Sequence, residues 1–363
     1  MRTLEKLTIK GFKSIREQTL ELDRLNVFIG GNGVGKSNLI GAFRFLHEVI
    51  NQRLTKYVAT RGSSESILHF GRKKTPEMEF FLEFGEGDTS NAYRLRLEGT
   101  DVGGLVISTE TAYYHEKKKY PKAYSHYVSG YSNESKLRDD GHISAAQVVT
   151  DLDSYRVYHF HDTSETAAAK GVCDLEDNQI LRPQAENLAA FLYFLQVKHP
   201  DHFSLIEDTV QQIAPFFGGF QLKPSRLNES KIRLEWTENG HDGYFDATSL
   251  SDGTLRFICL ATLLLQPELP AVVLLDEPEL GLHPAAVGLL ADLLASASER
   301  TQVIVGTQSV TLINHLTPDQ VWTVNRADDQ SVFIKLDRTD YSNWLDDYAL
   351  GELWEKNLIN ARP

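Results

Sequence analysis

Eight consecutive residues, Gly30-Gly31-Asn32-Gly33-Val34-Gly35-Lys36-Ser37, restrict what this chain can fold into more than any other stretch. They read G-x-x-x-x-G-K-S. Before them, Leu25, Val27, Phe28 and Ile29 make a short apolar run suited to a buried strand. After them, from Asn38 to Ile50, Leu39, Ile40, Phe43, Leu46 and Ile50 recur at helical spacing. Strand, glycine loop and helix in that order predict a phosphate-binding loop. Glycines let the backbone turn tightly with its N–H groups pointing at an anion, and the helix N-terminus adds partial positive charge. In such a loop Lys36 reaches the β- and γ-phosphates, and the Ser37 hydroxyl is placed to ligate Mg²⁺.

The rest of the composition bounds the context. No apolar run approaches the roughly 20 residues of a membrane span, and Met1-Arg2-Thr3-Leu4-Glu5-Lys6 does not read as a secretory signal, so a cytoplasmic protein without a membrane partner is expected. Cys173 and Cys259 are the only cysteines and lie far apart, which excludes a disulfide framework or a zinc hook. The formal charge of −13 repels nucleic acid. DNA binding would therefore need a local basic loop, either Arg72-Lys73-Lys74 or Lys117-Lys118-Lys119-Tyr120-Pro121-Lys122.

Taken in order, residues 3–10 and 19–22 alternate and predict a hairpin leading into the loop strand. The runs Met78–Phe84 and Tyr93–Leu97, broken by several glycines, predict an antiparallel sheet beside the phosphate-loop core. Residues 115–150, polar and mixed in charge, read as a mobile insertion. Tyr155–Phe160 reads as a strand. Two helical patterns, over residues 184–214, predict a small helical lobe, with strands returning at 219–223 and 231–236. No heptad pattern is sustained, so long coiled-coil arms are excluded. Asp139-Asp140, Asp151-x-Asp153 and Asp346-Asp347 read as solvated surface.

The second half supplies chemistry. Leu250-Ser251-Asp252-Gly253-Thr254 opens an amphipathic helix running from Leu255 to Leu265, with Ser251 as N-cap. Next, Ala271 to Leu275 is an aliphatic run that ends in Asp276-Glu277. A strand buried on both faces has no packing reason to end in two carboxylates. A Mg²⁺–phosphate site gives one: Asp276 holds the metal and Glu277 polarises the attacking water. Leu280-Gly281-Leu282-His283-Pro284 then starts a helix to about Ala297, with His283 structural rather than catalytic. A further buried strand, Gln302 to Gly306, ends in Thr307-Gln308-Ser309.

That order of motifs resembles the ABC-type ATPase fold of the SMC/RecF/OLD branch. Within it the chain looks like compact bacterial AAA-like ATPases that accompany anti-phage systems and lack a coiled coil. The opening Lys10-Gly11-Phe12-Lys13-Ser14-Ile15 and the tail Tyr348 to Trp354 share the likeness. The resemblance implies an α/β P-loop NTPase head with an antiparallel β subdomain and a small helical lobe. It implies a single domain over 1–363, divided into a P-loop lobe with the β subdomain (1–160), a helical insert (161–250), a lobe with signature, Walker B and switch (251–340) and a tail (341–363). Gly30, Asn32, Gly33, Val34, Gly35, Lys36, Ser37 and Asn38 become Walker A. Asp276 and Glu277 become Walker B, with Ser37 and Asp276 on Mg²⁺ and Glu277 as general base. Ser251 and Gly253 become a signature motif that contacts ATP held by a second copy. Glu279 to His283 is the D-loop region, and Lys13 and Ser14 lie near the nucleotide. The switch position, usually His, is Gln308, which implies slow turnover. The usual Q-loop Gln is missing, and His161-Asp162 is the candidate for its place. The implied function is an ATP-binding and hydrolysing homodimeric switch acting with a separate, nuclease-like effector in anti-phage defence or DNA metabolism. The alternatives are a slow nucleotide-binding scaffold, or a transporter motor, which the long stretch between Ser37 and Leu250 argues against. A nuclease within the chain is not expected, since the stretch after Arg326 is short for a Toprim domain.

Overall fold

The computed structural model describes residues 2–359. Its centre is a six-stranded sheet with spatial order Gln330–Lys335, Val321–Ala327, Leu25–Ile29, Gln302–Thr307, Val272–Asp276, Tyr155–Tyr158. All neighbours are parallel except the edge pair Val321–Ala327 and Gln330–Lys335. The inner strands are mostly apolar, as in Val272–Leu275 and Val303–Val305, because both faces are covered. Val27, Ile29, Val273, Leu275, Val303 and Val305 enter one core, with helices Asp252–Leu265 and Pro284–Ser298. Phe28, Val272, Leu274 and Ile304 enter the other, with the phosphate-loop helix Lys36–Ile50.

The second core is closed by an antiparallel six-stranded sheet, ordered Ile15–Glu21, Thr3–Phe12, Glu77–Glu86, Thr89–Gly99, Leu105–Glu116, Tyr124–Ser129. The expected hairpin and glycine-broken strands are therefore present, as neighbours in one sheet. Gln302, fully buried, fastens the two sheets: its side chain accepts from Leu4 N and donates to the carbonyls of Leu4 and Asp23. Helices Leu188–Lys198 and Pro200–Ile213 form the small helical lobe. The second packs on helix Asp252–Leu265. The returning strands lie at Phe217–Phe220, Lys231–Arg233 and Glu235–Glu238, and short strands Val172–Asp174 and Tyr244–Asp246 pair with them.

Three expectations are corrected. Residues 115–150 are not a loose insertion but an edge strand, an anchored loop and helix Ile143–Asp153. The anchor is the fully buried Glu110. Its Oε1 accepts from Tyr93 Oη at 2.6 Å and Ser135 Oγ at 2.5 Å, and its Oε2 from Ser129 Oγ at 2.9 Å and Lys136 N at 3.0 Å. Burial first, and Glu110 second, push the Tyr93 phenol well above its ordinary 10.0, so it remains a donor. Polar composition misleads here because buried polar groups are stable when every one is bonded. Glu110→Ala strands three hydroxyls and an amide; it is expected to cost about 3 kcal/mol in urea unfolding, and a loss below about 1 kcal/mol would contradict the anchoring role.

Asp151 is also not solvated. It is 8% exposed, accepts from Asn91 Nδ2 at 2.6 Å and faces Arg2. Lastly, Asp252–Leu265 is not amphipathic along its length: Thr254 through Leu265 are all buried. Packed against Pro200–Ile213, Pro284–Ser298 and the sheet core, it has no solvent face beyond its first turn.

Candidate functional site

The parallel register gathers the site. Thr307 lies opposite Ile29, Gly306 opposite Asp276, and Leu275 opposite Tyr158. Four strands thus end on one rim. The chain leaves them as the glycine loop, as Glu277, as Gln308 and as His159–His161. The carboxyl ends of parallel strands are where ligands bind in such sheets.

The glycine loop is shaped by close approaches. A Cβ on Gly30 would fall 2.3 Å from the carbonyl oxygen of Val324, and one on Gly35 would fall 2.0 Å from Ser331 Oγ. Gly33 and Gly35 have φ of +76° and +117°, the left-handed region that favours glycine. Asn32 and Ser37 are exposed and Val34 is half-buried, while Lys36 is 5% exposed. Lys36 Nζ folds back to donate to the carbonyls of Gly30 at 2.6 Å and Gly31 at 2.9 Å. Burial pulls its ammonium below the usual value, and Glu277, Asp276 and Glu279 oppose that shift. Lys36 is therefore the cation of a site holding three carboxyl groups.

Ser37 Oγ points at Asp276 Oδ1, 3.4 Å away. The hydroxyl and carboxylate brought together from positions 239 residues apart suit a hard, oxygen-seeking cation. Burial raises the Asp276 carboxyl, Ser37 lowers it and Glu277 raises it again. Glu277 has φ +43°, a strained value for a residue with a Cβ, held by its N–H donating to Gly306 O at 2.7 Å. Its Oε1 accepts from the Gln308 side-chain amide. Glu279 Oε1 accepts from Thr307 Oγ1 at 2.5 Å and from Gln308 N at 3.3 Å. The candidate base and the candidate switch are thus in direct contact, and Glu279 orients the strand end that carries Gln308.

Of the pair Lys13-Ser14, Ser14 sits behind Gly35, while the Lys13 ammonium lies over Gly41, in the helix that follows the loop. Ser14 Oγ accepts from Asn38 Nδ2 at 2.7 Å and from Ser331 Oγ at 2.6 Å. Ser331 also sits 2.5 Å from the Val34 carbonyl. Sequence reasoning missed Ser331, and nothing local marks it: a serine in an edge strand acquires meaning only where that strand passes behind Gly35. Of the pair His161-Asp162, only His161 joins the site, with Nε2 2.8 Å from the Asp276 carbonyl. Asp162 turns away and accepts from Ser164. Arg256 was also missed. Its guanidinium donates to the carbonyls of Phe160 at 2.9 Å and His161 at 3.0 Å, so helix Asp252–Leu265 is tied to the chain segment beside Asp276. The signal available in the sequence was a lone arginine inside the apolar run Leu255–Leu265, and the structure buries it to 5% exposure.

Ser251 caps that helix by accepting from Thr254 N at 3.2 Å. Ser251 and Asp252 are exposed and Gly253 is half-buried, its backbone close to Gly281 O. No hydrogen bond links Ser251 or Gly253 to the glycine loop of the same chain among the described residues. His283 caps Pro284–Ser298, the structural role expected. The two basic loops are largely matched by local acids: Arg72 with Asp101, Lys118 with Asp88, Lys119 with Glu116, and Lys117 with Glu5 and Glu83. No helix among the described residues is long and apolar enough to cross a membrane, and no cluster of three or more His, Cys, Asp or Glu forms a ready metal cage.

A glycine loop, an aliphatic strand ending in Asp276-Glu277 and a strand ending in Gln308, all on one rim beside an antiparallel sheet, define an ABC-type P-loop ATPase fold in its SMC-head form. Residues 25–314 match the family model described as "AAA domain, putative AbiEii toxin, Type IV TA system", and the chain belongs to that family. The Smc head bound to the C-terminal winged-helix domain of ScpA superposes with a TM-score of 0.62 at 18% identity, covering 94% of this chain and 99% of that one. A second Smc head, bound to the C-terminal domain of ScpA from Pyrococcus furiosus, gives 0.58 at 17% identity, with 96% and 99% covered. By sequence, the chromosome partition protein Smc of Methanocaldococcus jannaschii is 27% identical over 41% of this chain and 13% of its own length. The DNA replication and repair protein RecF of Acidothermus cellulolyticus is 35% identical over 26% of this chain and 26% of its own length. The chain thus matches only a minor part of these two relatives.

Proposed function

We propose that this protein is an ATP-driven dimeric switch: two copies close head to head around two ATP molecules and open on hydrolysis. The observation that carries the reading is the convergence of Lys36, Ser37, Asp276, Glu277 and Gln308 on one rim, while Ser251 and Gly253 start an otherwise buried helix at the surface. Lys36 would leave the Gly30 and Gly31 carbonyls for the β- and γ-phosphates. Ser37 and Asp276 would hold Mg²⁺, which neutralises phosphate charge as the γ-phosphoryl transfers. Glu277 would take the proton of the attacking water, with Gln308 orienting both. Half of each site then comes from the partner's copy of Ser251 and Gly253, whose hydroxyl and N–H groups suit an anion at a helix start. Association becomes conditional on ATP because neither half binds the γ-phosphate fully alone.

A cytoplasmic setting, a separate effector, and service in phage defence or DNA metabolism belong to the same reading. They are supported by the family description and by the likeness to Smc and RecF. A slow, scaffold-like variant is favoured by one observation, the neutral Gln308 where an imidazole could carry charge.

The composite site is tested with Ser251→Arg. In a Glu277→Gln background with Mg²⁺-ATP, the parent is expected to elute as a dimer in size-exclusion chromatography with light scattering. Adding Ser251→Arg is expected to leave ATP binding in each copy intact and to cut the dimer at least about tenfold. Dimers that persist would remove the signature role from Ser251.

A further inference from the structure

We infer that a cavity beside the phosphate-loop helix is a second ligand site, built for a phosphorylated molecule carrying a flat ring, of the nucleoside monophosphate class. The cavity holds about 470 Å³, within the range of small-ligand pockets. None of Gly30 through Asn38 lines it. Its floor is apolar and partly aromatic, with Phe43, Leu46, Ile50, Tyr57 and Tyr155.

The walls carry an unusual charge. In a chain of net charge −13, Arg44, Lys56, Arg61 and Arg156 surround one cavity, with His47 and His159. They come from three separate elements: Lys36–Ile50, Leu54–Thr60 with the residue after it, and Tyr155–Tyr158 with the residue after it. Among the described residues none of the four has a carboxylate within ion-pair distance. Arg156 donates to the carbonyls of Asp153 and Tyr155, and Arg61 lies over the Tyr57 ring. The one acid lining the cavity, Glu48, is engaged by Arg53 at 2.7 and 2.9 Å.

Three polar atoms of the lining residues are also without a hydrogen-bond partner: Arg44 Nε, Tyr155 Oη and His159 Nε2. Arg44 Nη2 lies 3.1 Å from His159 Nδ1. Burial first, then Arg44 and His161, pushes His159 down to about 4, so the ring is neutral near pH 7 and accepts through Nδ1. Its proton then sits on Nε2. That nitrogen and Arg44 Nε are both shielded from solvent without a hydrogen-bond partner. Cations on three sides call for a multiply charged acceptor, which a phosphate is and an aliphatic carboxylate is not. The aromatic and aliphatic floor supplies a surface for a ring. A ligand drawing on Arg44 and His159 would act two residues from His161, which contacts the Asp276 carbonyl, so occupancy has a short route to the rim.

The probes are AMP, and a 5′-phosphorylated tetrathymidylate for the same chemistry at a strand end. Titration calorimetry is run on the full chain. AMP is expected to bind wild type pre-saturated with a non-hydrolysable ATP analogue and Mg²⁺, and to bind Lys36→Ala equally well. Lys56→Gln combined with Arg156→Gln is expected to weaken AMP at least about tenfold while analogue binding stays within twofold. Lys56→Gln alone, at an exposed position, gives a smaller loss in the same direction and guards against misfolding of the double variant. Tighter binding of the tetrathymidylate than of AMP would assign the site to a strand end, and the reverse to a free nucleotide. Three results overturn the inference: no binding of either probe at about 1 mM, binding lost in Lys36→Ala, or binding unmoved by the substitutions.

Discussion

Glu277→Gln is expected to slow ATP turnover about 10²–10³-fold while ATP still binds. The substitution is nearly isosteric. The Gln308 side-chain amide can still donate to the remaining side-chain oxygen, and the N–H bond to Gly306 is backbone and survives. What disappears is the carboxylate able to take a proton from water. Binding and chemistry therefore separate, and the ATP-bound dimer should accumulate. Single-turnover hydrolysis and nucleotide retention on a filter measure the two effects. A rate within about twofold of wild type would remove Glu277 from the base role. Gln308→Ala is the useful companion, since it removes the contact to Glu277 without touching the base itself.

Lys36→Ala is expected to weaken ATP binding by about 10²-fold, equivalent to about 2.7 kcal/mol of charge-assisted hydrogen bonding. Among the described residues Lys36 is the cation whose ammonium is bonded to the loop, and its loss would remove the positive charge that offsets Asp276, Glu277 and Glu279 on the loop side of the phosphates. Lys36→Arg should fail to restore binding, because the nitrogen lies within 2.6–2.9 Å of two carbonyls in a space fitted to a compact ammonium. Equilibrium titration with a fluorescent ATP analogue gives the loss. Affinity within about threefold of wild type for Lys36→Ala would mean that the loop does not hold the triphosphate.

Much of this site could be read from the chain because its parts are local. Gly30 to Ser37 must turn, donate and start a helix within eight residues, and that demand writes itself into consecutive letters. Asp276-Glu277 stood out because carboxylates at the end of a run such as Val272 to Leu275 have no packing explanation. Edge elements were harder. The segment 115–150 looked loose because its anchor, Glu110, lies outside it, on a strand whose polarity pattern does not reveal four converging donors. Asp151 looked solvated because Asn91 and Arg2, its partners, are distant in sequence.

The sequence by itself determined the glycine loop with its flanking strand and helix, the later strands Val272–Asp276 and Gln302–Thr307, and the residue types at their ends. These follow from backbone conformation and periodicity, which act over a few neighbouring residues. Only the tertiary structure decided which strand ends share a rim, because sheet order and register are set by packing between segments hundreds of residues apart. It placed Gln308 on Glu277, slid Ser331 behind Gly35, enclosed the helix after Ser251 on all sides and surrounded one cavity with unpaired cations from three elements. Charge and hydrogen-bond satisfaction depend on which groups meet in space, and that is fixed only once the chain has folded.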